Sequence, residues 1–221
     1  MLARRLDELR KRIEAAAARS GRDARDVTLV AVTKKFPASL ICEAYQLGLR
    51  DFGENYVQEF EAKHAEVAGL KDARFHLIGH LQSNKTRLAS QMFHVIQTVD
   101  APKLARRLDA EGKPLDVMLE VKLSPEQSKA GAGPQALDEL IAAVRECRNL
   151  KLAGLMTMPP WTDDAEPSRP YFTQLRQLAQ KHSLPQLSMG MSHDFEVAIE
   201  EGSTCVRIGT ALFGPRPRPS H

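Results

Sequence analysis

Two neighbouring segments decide the fold: Leu187-Ser-Met-Gly-Met-Ser192 and, after an acidic helical segment, Gly202-Ser-Thr-Cys-Val-Arg-Ile-Gly-Thr-Ala-Leu-Phe-Gly214. Each sets a small-residue turn where a short strand would give way to a helix. In the first, Ser188 to Ser192 precede a helix with Phe195, Val197, Ala198 and Ile199 on its apolar side and Asp194, Glu196, Glu200 and Glu201 around them, closed by Gly202. In the second, the β-branched run over 204–208 delivers Arg207, Gly209 and Thr210 to a turn. Backbone N–H groups left free at such turns and at helix N-termini make a seat for phosphate. Two such turns side by side predict a chain arranged to bring something to that phosphate.

Reading outward, residues 27–33 form a nearly continuous apolar run, the signature of a strand buried on both faces. It ends in Lys34 and Lys35, after which Pro37 opens a helix stopped by Gly48. The unit of strand, loop and helix then repeats. Further strands are predicted near 49–52, over 75–78, 94–99, 115–121 and 150–156, with Asp100 and Pro102 as cap and first turn of the helix after the fourth. With the two strands of the deciding stretch, this makes eight. Eight strands, each followed by a helix, predict a parallel (β/α)8 TIM-type barrel with an extra N-terminal helix over 1–20. An open doubly wound sheet is the alternative, and no Gly-x-Gly-x-x-Gly follows the first strand as a dinucleotide fold would need. The chain of 221 residues reads as a single domain, 1–221, ending in a frayed tail over 215–221.

A net charge of +3 on balanced acids and bases gives no nucleic-acid surface. Cys42, Cys147 and Cys205 are far apart and unpaired by spacing, which suits a reducing, cytoplasmic compartment, and no metal-type spacing is present. The N-terminal segment is rich in arginine and alanine, but Asp7, Glu8 and Glu14 argue against a transit peptide, and Leu2, Leu6, Leu9 and Ile13 mark one face of an ordinary amphipathic helix. No stretch has the length of a membrane span.

In a barrel, residues at the carboxyl ends of strands gather at one mouth and carry the chemistry. That rule selects Lys34, Asn55, His80, Asn84, Met156, Ser188 and Arg207, and it puts phosphate sites in the last two loops, where the small-residue turns lie. A lysine nucleophile must shed its proton, so burial or a nearby cation such as Arg207 is needed. Strand alternation puts Val30, Val32 and Lys34 on one face and Leu29, Ala31 and Lys35 on the other; both faces are apolar, so Lys35 remains a rival. A solvated lysine, a structural arginine ion pair and a serine helix cap at Ser192 are the plain alternatives. His80 reads as a hydrogen-bonded loop histidine, and no Ser-His-Asp or Cys-His arrangement is legible.

Leu29-Val-Ala-Val-Thr-Lys34, Phe52-Gly-Glu-Asn-Tyr-Val-Gln-Glu59, Phe75-His-Leu-Ile-Gly-His-Leu-Gln-Ser-Asn-Lys85, Ser128-Lys-Ala-Gly131, Gly154-Leu-Met156, Leu187-Ser-Met-Gly-Met-Ser192 and Val206-Arg-Ile-Gly-Thr210 together resemble the pyridoxal phosphate homeostasis protein family. The resemblance implies a barrel like the N-terminal domain of alanine racemase, holding pyridoxal 5′-phosphate (PLP) as a Schiff base on the lysine that matches Lys34. It implies phosphate contacts at Ser188, Gly209 and Thr210, Arg207 on the pyridine side and Asn55 as a cofactor-side polar contact. It also implies a role in PLP supply and vitamin B6 balance without an established catalytic activity; the expected form is a monomer that holds PLP and passes it transiently to apo-enzymes. A small racemase-like PLP enzyme using His80 or Lys35 as second base is the alternative. Two departures stand out. Thr33-Lys-Lys-Phe-Pro37 stands where members read Ser-Lys-Thr-Lys-Pro, which puts an extra cation beside Lys34. Val121-Lys122 stands where they read Val-Asn, which leaves that asparagine's role unassigned.

Overall fold

The apolar runs become eight strands: β1 (Thr28–Val32), β2 (Asp51–Glu54), β3 (Arg74–Leu77), β4 (Val95–Val99), β5 (Leu115–Glu120), β6 (Leu150–Met156), β7 (Gln186–Met191) and β8 (Cys205–Ile208). In the computed structural model, which describes residues 1–124 and 130–215, they pair in sequence order as a closed barrel. Strand β8 lies parallel to β1, with Thr28 opposite Cys205 and Ala31 opposite Ile208, so the sheet has no free edge. The loop lysine Lys129, its motif neighbour Ser128 and the tail after Pro215 lie outside the described residues.

The helices alternate with the strands: α1 (Leu2–Arg19), α2 (Ala38–Gln46), α3 (Val57–Val67), α4 (Thr86–Met92), α5 (Pro102–Ala110), α6 (Leu137–Arg145), α7 (Arg169–Lys181), α8 (Phe195–Glu200) and α9 (Thr210–Phe213). Their inward faces and the outward faces of the strands form one continuous apolar layer, in which Phe60 packs on Phe75 and Phe93 with ring centroids 4.7 and 4.9 Å apart. Leu2, Leu6, Leu9 and Ile13 of α1 are buried in that layer. The acids of α8 are each answered from a neighbouring helix. Arg12 forks onto Glu196 at 3.0 and 3.2 Å, Arg19 meets Glu200 at 2.7 Å, and Arg169 and Arg176 of α7 both reach Glu201. The acidic segment of the sequence is therefore held between α1 and α7 by ion pairs from both.

Four boundaries differ most from the sequence reading. The second strand is Asp51–Glu54 rather than 49–52, and Val121 leaves the fifth strand for an isolated bridge to Ala132. The cap of α5 is Ala101, with no side-chain bond, so Asp100 is free to face the mouth. The last difference matters most: Ser188 to Met191 belong to β7, and the turn begins only at Ser192. Gly190, at φ +94°, lets this strand approach α8; a Cβ there would lie 2.6 Å from that of Ala198.

The barrel axis is polar for much of its length. Branched aliphatic side chains usually fill such a barrel. Here Gln97 donates to Nδ1 of His76 at 3.0 Å, so the ring proton sits on Nε2 and is donated to Asp51 at 2.8 Å. On the other side, the Ser188 hydroxyl donates to Oε1 of Gln97 at 2.6 Å and accepts from Arg207 at 2.6 Å. The chain Asp51, His76, Gln97, Ser188, Arg207 runs from the far end of the barrel to its mouth.

Candidate functional site

Lys34 follows β1, in a tight turn at the mouth. The turn is built from below by Lys63 of α3, whose ammonium donates to the Thr33 carbonyl at 3.1 Å, to Glu54 Oε1 at 2.8 Å and to Glu59 Oε1 at 2.9 Å. The Thr33 hydroxyl donates to the same Glu54 oxygen at 2.8 Å. On the far side of Lys34, the Lys35 backbone N–H donates to Glu59. Lys35 itself sits at φ +64°, a conformation that costs a side-chain-bearing residue about 1–2 kcal/mol. The residues flanking Lys34 are thus tied to one carboxylate pair through one buried ammonium. Burial pushes the Glu54 carboxyl up from its ordinary value, against the pull of Lys63.

Lys34 lines a cavity of about 240 Å³ together with Asn55, Ser192, Arg207, Gly209 and Thr210. Among the described residues its polar lining carries cations, hydroxyls, an amide, His193 and backbone N–H groups, but no carboxylate. Arg207 is almost fully buried; besides Ser188 it donates to the Thr157 carbonyl at 2.9 Å. Burial lowers its affinity for the proton, while Glu120 and Asp194 act the other way. At the phosphate end, the N–H groups of Gly209 and Ala211 converge on the Ser192 hydroxyl oxygen, at 3.3 and 3.2 Å. Two backbone N–H groups converging on one oxygen at a strand-to-helix turn are the kind of donor pair that suits an anionic oxygen.

The structure brings together Lys34, Asn55, Arg207, Gly209 and Thr210. It does not bring Ser188 to the phosphate turn. Ser188 lies inside β7, fully buried, and its hydroxyl is spent on Gln97 and Arg207. Ser192, read as a helix cap, makes no cap bond to α8, whose N-cap is Asp194. Alternation should have separated the two serines, because a strand extended to Met191 pushes the turn past the first of them. Lys35 is exposed and does not line the cavity, and Asn84 is exposed in a short 3-10 turn over 83–85. Met156 is buried against Met118 and Ala153.

Asn55 is shared with a second lobe of about 330 Å³, which also takes His80, Glu120, Lys122 and Ser124. His80 is half exposed, with Nδ1 at 3.8 Å from Asp100. Neither Lys63 nor Glu120 was singled out from the sequence. The signal for Lys63 was its spacing of four from Glu59 on a helix beginning just past the Gly53-Glu54-Asn55 turn. Among the described residues, no group of three or more His, Cys, Asp or Glu is placed to hold a metal, and no helix is long and apolar enough to cross a membrane.

Residues 5–217 match the family described as alanine racemase, N-terminal domain. The pyridoxal phosphate homeostasis protein of Pseudomonas aeruginosa is 45% identical over 97% of this chain and 96% of its own length. That of Escherichia coli is 44% identical over 97% of each chain. Among solved structures, PipY of Synechococcus elongatus with PLP bound is 39% identical, with a TM-score of 0.85 over 97% of this chain and all of PipY. Alanine racemase of Clostridium difficile, at 12% identity and a TM-score of 0.72 over 57% of its length, shares the fold.

Lys63→Met leaves Glu54 buried without its counter-ion and is expected to destabilise the protein by about 3–5 kcal/mol in urea denaturation. Adding Glu54→Leu should recover much of that loss, because the stranded charge is gone; a single variant as stable as the unaltered protein would show the cluster to be solvated.

Proposed function

We infer the function from one premise: the chain belongs to the pyridoxal phosphate homeostasis protein family, built on the alanine racemase N-terminal domain. It is a PLP-binding protein of PLP homeostasis. Bound PLP supplies an aldehyde that a primary amine captures reversibly with loss of water. Lys34 presents that amine. The observation that carries this reading is the lobe in which Lys34, Arg207, Gly209 and Thr210 meet, with no carboxylate among its described lining residues.

Within that lobe, Ser192, Thr210 and the N–H groups of Gly209 and Ala211 take the phosphate, and Asn55 borders the ring. Ser188 acts one step back, orienting Arg207. A guanidinium cannot accept a proton, so Arg207 beside the pyridine nitrogen keeps that nitrogen unprotonated and weakens the electron withdrawal on which PLP catalysis depends. A racemase also needs an acid or base on each face of its substrate. These points favour holding and supplying PLP over transforming an amino acid, with a transient hand-over to apo-enzymes. The unpaired cysteines suit a reducing, cytoplasmic compartment.

Borohydride reduction of the purified, PLP-loaded protein followed by peptide mass mapping should place the label on Lys34; label on Lys35, or none, contradicts the reading. In deuterium oxide with single L-amino acids, exchange at Cα should stay near the rate of free PLP. Rapid exchange would make the protein an enzyme.

A further inference from the structure

The second lobe of the mouth has the opposite character to the first. Its floor is Glu120, the last residue of β5, only 3% exposed. Oε2 of Glu120 is buried and, among the described residues, takes no hydrogen bond. Ser124, which lines the same lobe, has a buried hydroxyl that is likewise without a hydrogen-bond partner among the described residues. Buried polar atoms are almost always satisfied, so two orphan acceptors on one cavity mark a place for a donor. The walls are apolar: Val121, Met158, Pro159 and Trp161 line the lobe, and Trp161 is 67% exposed at its rim. At about 330 Å³ the lobe holds more than a bridging water, and its apolar walls offer water few partners.

We propose that this lobe binds a small primary amine, its ammonium on Glu120 and Ser124 and its apolar body on Met158, Pro159 and Trp161. An ammonium brings three N–H donors on one atom and a charge opposite to the buried acid. A quaternary cation has no N–H for the orphan acceptors, and an anion would meet Glu120. Asn55, Ile78, Met158, Trp161 and Met191 border both lobes, so a bound amine lies next to Lys34. The site reaches beyond the cofactor reading and does not depend on it, since its ligand contacts none of the phosphate donors.

Its pH dependence follows from the groups that face Glu120. Burial, then Asp100 at the end of β4, push the carboxyl up to about 7, while Arg207 across the barrel pulls it down; His80 and Lys122 share the lobe. Below that value the acid is neutral and holds a cation weakly, and above it the acid is charged. Amine affinity should therefore rise with pH and be about tenfold weaker at pH 6 than at pH 8.

Trp161 is the sole tryptophan of the chain and reports on the lobe directly. The probes are n-butylamine, n-butanol and butyrate, titrated against tryptophan fluorescence. Both the protein as purified and the borohydride-reduced protein are used, because reduction prevents the amine from displacing the cofactor. Saturable binding of n-butylamine in both forms is expected, weaker by about tenfold or more in Glu120→Gln and flat with pH there, and weakened to a smaller degree in Ser124→Ala. Equal binding of n-butanol, tighter binding of butyrate, unchanged binding in Glu120→Gln, or no saturable response to the amine would each overturn the proposal. Because reduction and mass mapping read the cofactor separately, failure here leaves the assignment of Lys34 intact.

Discussion

The ammonium of Lys63, buried beneath the mouth of the barrel, is the interaction on which the geometry of the site depends. It is only 7% exposed and gathers a carbonyl and two carboxylates from three different elements. A buried ion group of this kind is poor evidence for stability, because desolvation offsets much of the attraction. Its consequence is orientation. With the Thr33 carbonyl and the Lys35 N–H tied to the same cluster, the turn between them has one conformation, including the left-handed Lys35. Lys34 is then aimed at the cavity while Lys35 is turned to solvent.

Arg207 is held from the opposite side by a different device. A nearly fully buried guanidinium needs acceptors, and here it has a serine hydroxyl and a backbone carbonyl. The serine is in turn committed to Gln97, Gln97 to His76 and His76 to Asp51. Each member has one free sense of hydrogen bonding once its neighbour is set, so the chain determines where the cation points. The mouth thus joins two preorganised cations to the short turn that starts α9, on a frame whose acidic helix α8 is pinned by arginines from both sides.

Much of this was legible in the sequence. Apolar runs ending in glycine, lysine or asparagine marked the strands, and their number and order favoured a closed barrel over an open sheet, which the β1–β8 pairing bears out. Lys34 over Lys35 could be read only weakly from alternation, since Val30 and Ala31 are both fully buried. What decides it is the turn, and the turn depends on Lys63, a side chain that reads as one more charge on an amphipathic helix. Ser188 and Ser192 were confused for a related reason: small residues signal a turn, but a strand buried on both faces tolerates serine when a buried partner uses its hydroxyl. Gln97 and His76 were invisible as a network because their pairing is set by the closure of the barrel. Glu120 is one polar residue within a strand read over 115–121; its burial beside Asp100 exists only once the lobe around it is assembled.

The central claim is that the cluster under the turn makes Lys34 the holder of PLP, and Glu59 is the member best suited to test it. Its side chain is partly exposed, so Glu59→Gln should leave the barrel folded while loosening the grip on Lys35 and Lys63. The decisive measurement is the rate at which PLP dissociates from Glu59→Gln and from the unaltered protein at a temperature where both are fully folded. The account predicts release faster by about tenfold or more, because a misplaced amine loses much of the advantage of preorganisation. Equal rates in two equally folded proteins would contradict it.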